Sequence, residues 1–232
     1  MKFWRAVLED TVGLVYPNVC VTCGKSLPQG CRYLCPSCLY RLPRTHFHKD
    51  PDNPLAMVFW GRVRIEQAAA WFHYTKGSRY PQLIHAIKYS GRTDLGMSLG
   101  RLYGAELKES PFAEARLIVP VPLHRRKQRK RGFNQSECIG RGLARALHIP
   151  LVTTNLWRTV NTQTQTRQTR LERWKNVENV FRLRDPQALQ EKHVLLVDDV
   201  VTTGATLESC AGVLLGVPGT RVSIVALGYA TL

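Results

Sequence analysis

Hydrophobic positions along this chain fall into short blocks whose spacing switches between strand-like and helix-like. Val194-Leu195-Leu196-Val197 is too short and too β-branched for a helix, and predicts a buried strand of a parallel sheet. Asp198 and Asp199 follow at its carboxyl end, where open α/β sheets bind ligands. A Thr/Gly loop of Thr202, Thr203, Gly204, Ala205 and Thr206 then runs into an apparent helix start at Leu207. Residues 116–123 predict a second buried strand, which Pro120 and Pro122 stop. A helix with apolar spacing at Ile139, Leu143 and Leu147 follows, capped by Asn134 or Ser136. Residues 79–89, carrying Leu83, Ile84, Ile87 and, near the end, Lys88, read as a helix, and so do residues 95–107. Residues 56–60 and 68–74 read as strands that suit an antiparallel pair, and residues 156–160 and 180–183 as two more. Strands interleaved with helices predict an α/β fold with a parallel sheet flanked by helices.

Three polar or mixed stretches separate these blocks. Residues 1–17 suit a short amphipathic helix with Phe3, Val7 and Leu14 on one side. Residues 44–55 are polar and Pro-rich and read as a linker. Residues 161–179 are poor in core residues, and a long polar insertion in a compact domain is commonly a binding loop or a plain exposed hairpin. As a lid, Gln165, Gln168, Arg170, Arg173 and Asn176 would close over an anion. Trp157 and Trp174 flank this stretch and suit either core packing or stacking on a base.

Charge changes the picture most. The 232 residues carry 33 Lys+Arg against 17 Asp+Glu, a net +16 and a pI near 10.0, which draws polyanions at long range. No segment approaches the ~18 uncharged apolar residues that span a bilayer. Arg5, Glu9 and Asp10 interrupt any signal-peptide core, so a cytoplasmic location is expected. Cysteines then stay reduced, and pairs of them point to metal before disulfide.

Five of the seven cysteines lie between residues 20 and 38. Cys20-x2-Cys23 and Cys35-x2-Cys38 each suit a tight turn that aims two thiolates at one ion, and together they can close a tetrahedral four-sulfur zinc site. Four thiolates leave no open position for a reactive water, so the metal's role would be structural. Cys31, or His46 or His48 just downstream, could replace one ligand. The division expected is an N-terminal helix and metal module over residues 1–48 and a second domain over residues 56–232. Cys138 and Cys210 sit on helix patterns and read as buried small hydrophobes. His73, His85, His148 and His193 read as packing or surface residues.

The chemistry concentrates behind the strand ends. Loop amides, hydroxyls and a helix dipole together suit a phosphate monoester, and two adjacent carboxylates suit ribose hydroxyls, so a sugar phosphate fits both. After the second strand, Arg125 to Arg131 place six cations in seven residues before Gly132. That basic loop suits either a pyrophosphate or a solvated, nucleic-acid-facing role.

All thirteen positions from Val194 to Thr206, VLLVDDVVTTGAT, resemble the 5-phosphoribosyl-1-pyrophosphate (PRPP) motif of type I phosphoribosyltransferases. The paired cysteines, IVPVPL followed by RGFNQS, the segment QTRQTRLERWKNVENVF and this motif, in that order, resemble the ComF family of bacterial competence proteins. The resemblance covers nearly the whole chain. It implies a phosphoribosyltransferase-type parallel sheet with a double zinc knuckle at its N-terminal end. Asp198 and Asp199 would bind the ribose hydroxyls, and Thr202 to Thr206 (Thr202, Thr203, Gly204, Ala205, Thr206) the 5′-phosphate, with Val200 and Val201 also in the PRPP site. Val121, Pro122, Leu123 and the basic loop with Arg131 would meet the pyrophosphate, with Mg²⁺ accompanying PRPP. It further implies a role in DNA uptake or use, handling single-stranded DNA beside the competence translocation machinery. The other reading open at this stage is an active phosphoribosyltransferase of nucleotide metabolism with an unidentified acceptor.

Overall fold

The computed structural model describes residues 18–159 and 180–230. The expected N-terminal helix and the polar insertion, with Trp174 and its five candidate anion contacts, lie outside the described residues. In chain order the regular elements are α1 (Pro36–Tyr40), α2 (Pro54–Met57), β1 (Gln67–His73), α3 (Pro81–Tyr89), α4 (Thr93–Leu107), β2 (Leu117–Pro120), α5 (Arg125–Arg131), α6 (Gln135–Leu147), β3 (Leu156–Arg158), β4 (Phe181–Leu183), β5 (His193–Val201), α7 (Ala205–Leu215) and β6 (Arg221–Tyr229).

Four strands form one parallel sheet in the order β1-β6-β5-β2. Its centre is as apolar as the sequence pattern requires: Val194, Leu195, Leu196 and Val197 of β5, and Val222 and Ile224 of β6, are fully buried. Each such side chain contributes about 1.5–3 kcal/mol relative to exposure. Leu151 bridges Ile118 in parallel beyond β2, so the chain steps outward after α6 before returning to β5. Right-handed crossovers then put α4 and α6 on one face, and α7, between β5 and β6, on the other. A separate antiparallel hairpin, β3–β4, pairs Trp157 with Arg182.

Two expected strands need correction. Residues 56–60 form no strand, and β1 pairs in parallel with β6 instead of joining an antiparallel pair. Asn53 decides this locally: its Oδ1 accepts from the Leu55 and Ala56 amides at 3.0 and 3.1 Å, and Pro54 starts a helix. A short apolar run such as AMVFW fits either state by periodicity alone. The same Asn53, buried, donates to Ala68 O at 2.8 Å and Asp50 O at 2.7 Å. Residues 44–55 are therefore packed against β1 and are not a free linker. The Thr45 amide donates to Trp71 O at 3.0 Å and the His73 amide to Pro43 O at 2.8 Å, which covers the sheet edge.

Helices α4 and α6 meet backbone to backbone. A Cβ on Gly100 would lie 2.2 Å from Ile139 O, and one on Gly142 would lie 2.1 Å from Met97 O. Gly142→Ala would stabilise an isolated helix by about 1 kcal/mol. Here the overpacking is expected to win by about 1–3 kcal/mol, lowering Tm by about 2–12 °C in a thermal melt. A rise in Tm would show that the two helices can separate freely.

Candidate functional site

β5 extends to Val201, so Asp198 and Asp199 lie within the strand near its carboxyl end, Asp198 opposite Ala226 and both near Gly228 of β6. The two carboxylates find different partners. Asp198 Oδ1 accepts from Ser136 Oγ at 2.8 Å and from the Asp199 amide at 2.8 Å. Asp199 is buried, and Lys88 Nζ of α3 stands 2.9 Å from its Oδ2. Among the described residues that oxygen has no hydrogen-bond partner besides this ion pair. Burial first, and the Asp199 charge second, push the Asp198 carboxyl up to about 7.

Beyond the strand, Thr202, Thr203, Ala205 and Thr206 are exposed, while Val201 and Gly204 are buried. Gly204 adopts φ +74° as the cap of α7, and a Cβ there would meet Val58 Cγ1 at 2.8 Å. Among the described residues no side chain caps this helix, which leaves its first amides and its dipole for an anion. Arg62 fixes the loop from outside: its guanidinium donates to Thr203 O at 3.0 Å and Val58 O at 3.0 Å, and pairs with Glu208.

The third wall follows β2. The Val121 amide donates to Val197 O at 2.9 Å, and Asn134 Nδ2 donates to Val121 O at 3.0 Å, so Val121, Pro122 and Leu123 lie beside the end of β5. Asn134, not Ser136, caps α6 through the Ser136 amide at 3.1 Å, which frees the Ser136 hydroxyl for Asp198. The basic run 125–131 is a helix, where a loop was expected. His124 Nδ1 caps it, Gly132 at φ +80° ends it, and Arg and Lys are good helix formers once solvent screens their repulsion. Arg131 donates to Gln135 Oε1 and lies 5.5 Å over the Tyr89 ring.

At the N-terminal end the Sγ atoms of Cys20, Cys23, Cys35 and Cys38 all lie within 4.8 Å of one another. Cys23 and Cys35 Sγ are 3.8 Å apart, about the edge of a tetrahedron with ~2.3 Å metal–sulfur bonds. The Cys35 and Cys38 amides donate to Cys20 Sγ and Cys35 Sγ, each at 3.4 Å. Burial works against the Cys20 thiolate, but amides of Cys35, Cys23 and Thr22 outweigh it and lower the thiol to about 6. These donors fit a soft metal ion. Cys31, His46 and His48 stand outside the four-thiol group.

Residues 135–230 match the phosphoribosyl transferase domain family. The chain is 33% identical to DNA utilization protein YhgH of Escherichia coli K12 over 206 residues, 85% of this chain and 84% of that protein. The chain belongs to the ComF family. It is also 31% identical to competence protein F of Haemophilus influenzae, over 60% of this chain and 64% of that protein. Competence protein ComFC of Bacillus subtilis matches at 25% identity, over 91% of this chain and 82% of that protein. The sheet with its flanking helices is accordingly of the phosphoribosyltransferase type.

Within this ComF chain the structure gathers the acidic pair and the Thr/Gly loop, both contiguous in the sequence, with residues 121–123 at one end of the sheet. Sequence reasoning gives no role at this site to Lys88 or Arg62, and it reads Ser136 only as a possible cap. Lys88 and Ser136 sit 111 and 62 residues from their carboxylate partners (199 − 88; 198 − 136), and no local pattern links positions so distant.

A carboxyl that holds its proton more tightly folded than unfolded loses stability as pH rises from about 3.9, its unfolded value, to the folded one. For Asp198 that window ends near 7. Asp198→Asn is therefore expected to raise Tm at pH 8 and to bring no gain at pH 4; equal shifts at both pH values would exclude a strained carboxylate. For the metal centre, Cys38→Ser is expected to lose bound metal in elemental analysis, whereas Cys31→Ser keeps the wild-type stoichiometry.

Proposed function

We propose that this chain binds PRPP or a related nucleotide and acts in the uptake or use of DNA, handling single-stranded DNA. One observation carries the pocket: an acidic pair, an uncapped phosphate-type helix start and a basic segment converge at the carboxyl ends of β2 and β5. The relatives named for DNA utilization and competence supply the DNA part of the reading.

Asp198 and Asp199 accept hydrogen bonds from the ribose hydroxyls. The 5′-phosphate sits on the loop that Val200 and Val201 lead into, held by Thr202, Thr203, Gly204, Ala205 and Thr206, where Gly204 packs so closely on Val58 that a β-carbon would not fit. Val121, Pro122 and Leu123 face the pyrophosphate, and Arg131 adds positive charge. The acidic pair and the anion cradle fit Mg²⁺ with PRPP, and the ion would neutralise the pyrophosphate. Lys88 pairs with Asp199 in its buried position, and Ser136 orients Asp198. The four cysteines hold a structural zinc that supplies the stability a small module lacks. Among the described residues no helix is long and apolar enough to cross a membrane. A basic protein of this kind suits work in the cytoplasm beside a DNA translocation pore.

Calorimetric titration of the zinc-loaded protein with Mg-PRPP is the direct test. Micromolar binding is expected, and Asp198→Ala/Asp199→Ala is expected to abolish it. Absence of binding by folded wild-type protein would overturn the pocket assignment. Release of pyrophosphate from PRPP on addition of an acceptor would instead support a working transferase.

A further inference from the structure

α3 connects the metal centre to the ligand pocket. At its start, Tyr80 Oη donates to Cys38 O at 3.2 Å, and the Gln82 amide nitrogen, in the orientation that satisfies both ends, reaches Val21 O at 3.0 Å and Thr22 O at 3.3 Å. At its end, Lys88 pairs with Asp199 and Tyr89 lies under Arg131. Between the first knuckle and α3 runs a cavity of about 800 Å³.

The chemistry of that groove is one-sided. Arg79, Gln82, His85 and Arg92 line it, and among the described residues no carboxylate does. Thr22 on the opposite wall is buried, and among the described residues its hydroxyl has no hydrogen-bond partner. His85 and Tyr89, one helical turn apart, pack in a tilted contact with ring centroids 4.6 Å apart and planes at 42°, and Tyr89 is still 68% exposed. Arg131 continues the row onto α5, whose Arg126, Lys127, Arg129 and Lys130 are exposed. Cations alternating with exposed aromatic rings make a stacking platform for unpaired bases, with charges set for the backbone. A duplex offers no free base face to such rings.

We infer that the groove between the first cysteine knuckle and α3, extended by His85, Tyr89 and the α5 cations, is a binding track for single-stranded nucleic acid that ends at the phosphate pocket. This inference rests on the DNA-handling reading above and assigns it a surface. Phosphates run along Arg79 and Arg92, and bases stack on the His85–Tyr89 pair.

The test is binding of a fluorescent twelve-nucleotide oligo(dT) to the zinc-loaded full chain over a range of salt. Arg79→Ala/Arg92→Ala is expected to weaken binding and to lower the slope of log K against log salt by about 1.4, or ~0.7 per lost phosphate contact. Tyr89→Ala should weaken it about fivefold or more and Tyr89→Phe should restore it, as expected for loss of one stacked base. Wild-type affinity and slope in the arginine variant, tighter binding of a duplex of equal length, or no oligo(dT) binding by wild type would each overturn the track. Mg-PRPP titration of the same proteins separates the two readings. Arg79→Ala/Arg92→Ala keeps PRPP binding if the pocket is independent. Oligo(dT) binding that survives Asp198→Ala/Asp199→Ala supports the track even if the pocket assignment fails.

Discussion

Two carboxylates on adjacent residues at the end of a buried strand repel one another, and both resist losing water. The rest of the site is arranged around that conflict. Lys88 neutralises one charge from α3, and Ser136 and a backbone amide donate to the other from α6 and the strand itself. The strand can carry this cost because its preceding four residues are fully buried aliphatics, at about 1.5–3 kcal/mol each. Strain of this kind, held by a surrounding structure that over-determines it, is characteristic of binding sites.

The same helices that relieve the conflict tie the site to the rest of the molecule. α6 can bring Ser136 to Asp198 only because α4 lets it approach through Gly100 and Gly142. α3 reaches Asp199 with its last turn and both cysteine knuckles with its first. The cysteine module is thus a support for the helix that supplies Lys88. Its buried Cys20, Leu34 and Cys35 belong to the same continuous core as the sheet.

What could be read in the sequence was what is encoded locally. The strand–acid–loop–helix unit from Val194 to Thr206 is contiguous, as are the two Cys-x-x-Cys turns, and each residue type there has a role set by neighbours a few positions away. Residues 56–60 misled because five apolar residues fit a strand as well as a short helix, and the deciding cap, Asn53, looked like part of a linker. The basic run 125–131 misled differently. Its charge density pointed to a loop, but a capping histidine, a terminal glycine and the helix propensity of arginine and lysine carried it into a helix.

From the sequence alone came the fold class, the two Cys-x-x-Cys pairs, the acidic pair and the Thr/Gly loop, because hydrophobic period, cysteine spacing and turn chemistry act over a few residues. Only the tertiary structure decided which cation faces Asp199, which hydroxyl faces Asp198, what pins the Thr/Gly loop and where the aromatic row on α3 leads. Those pairings join residues tens to more than a hundred positions apart, and they are selected by how helices pack on a sheet, a property of the whole core and not of any segment.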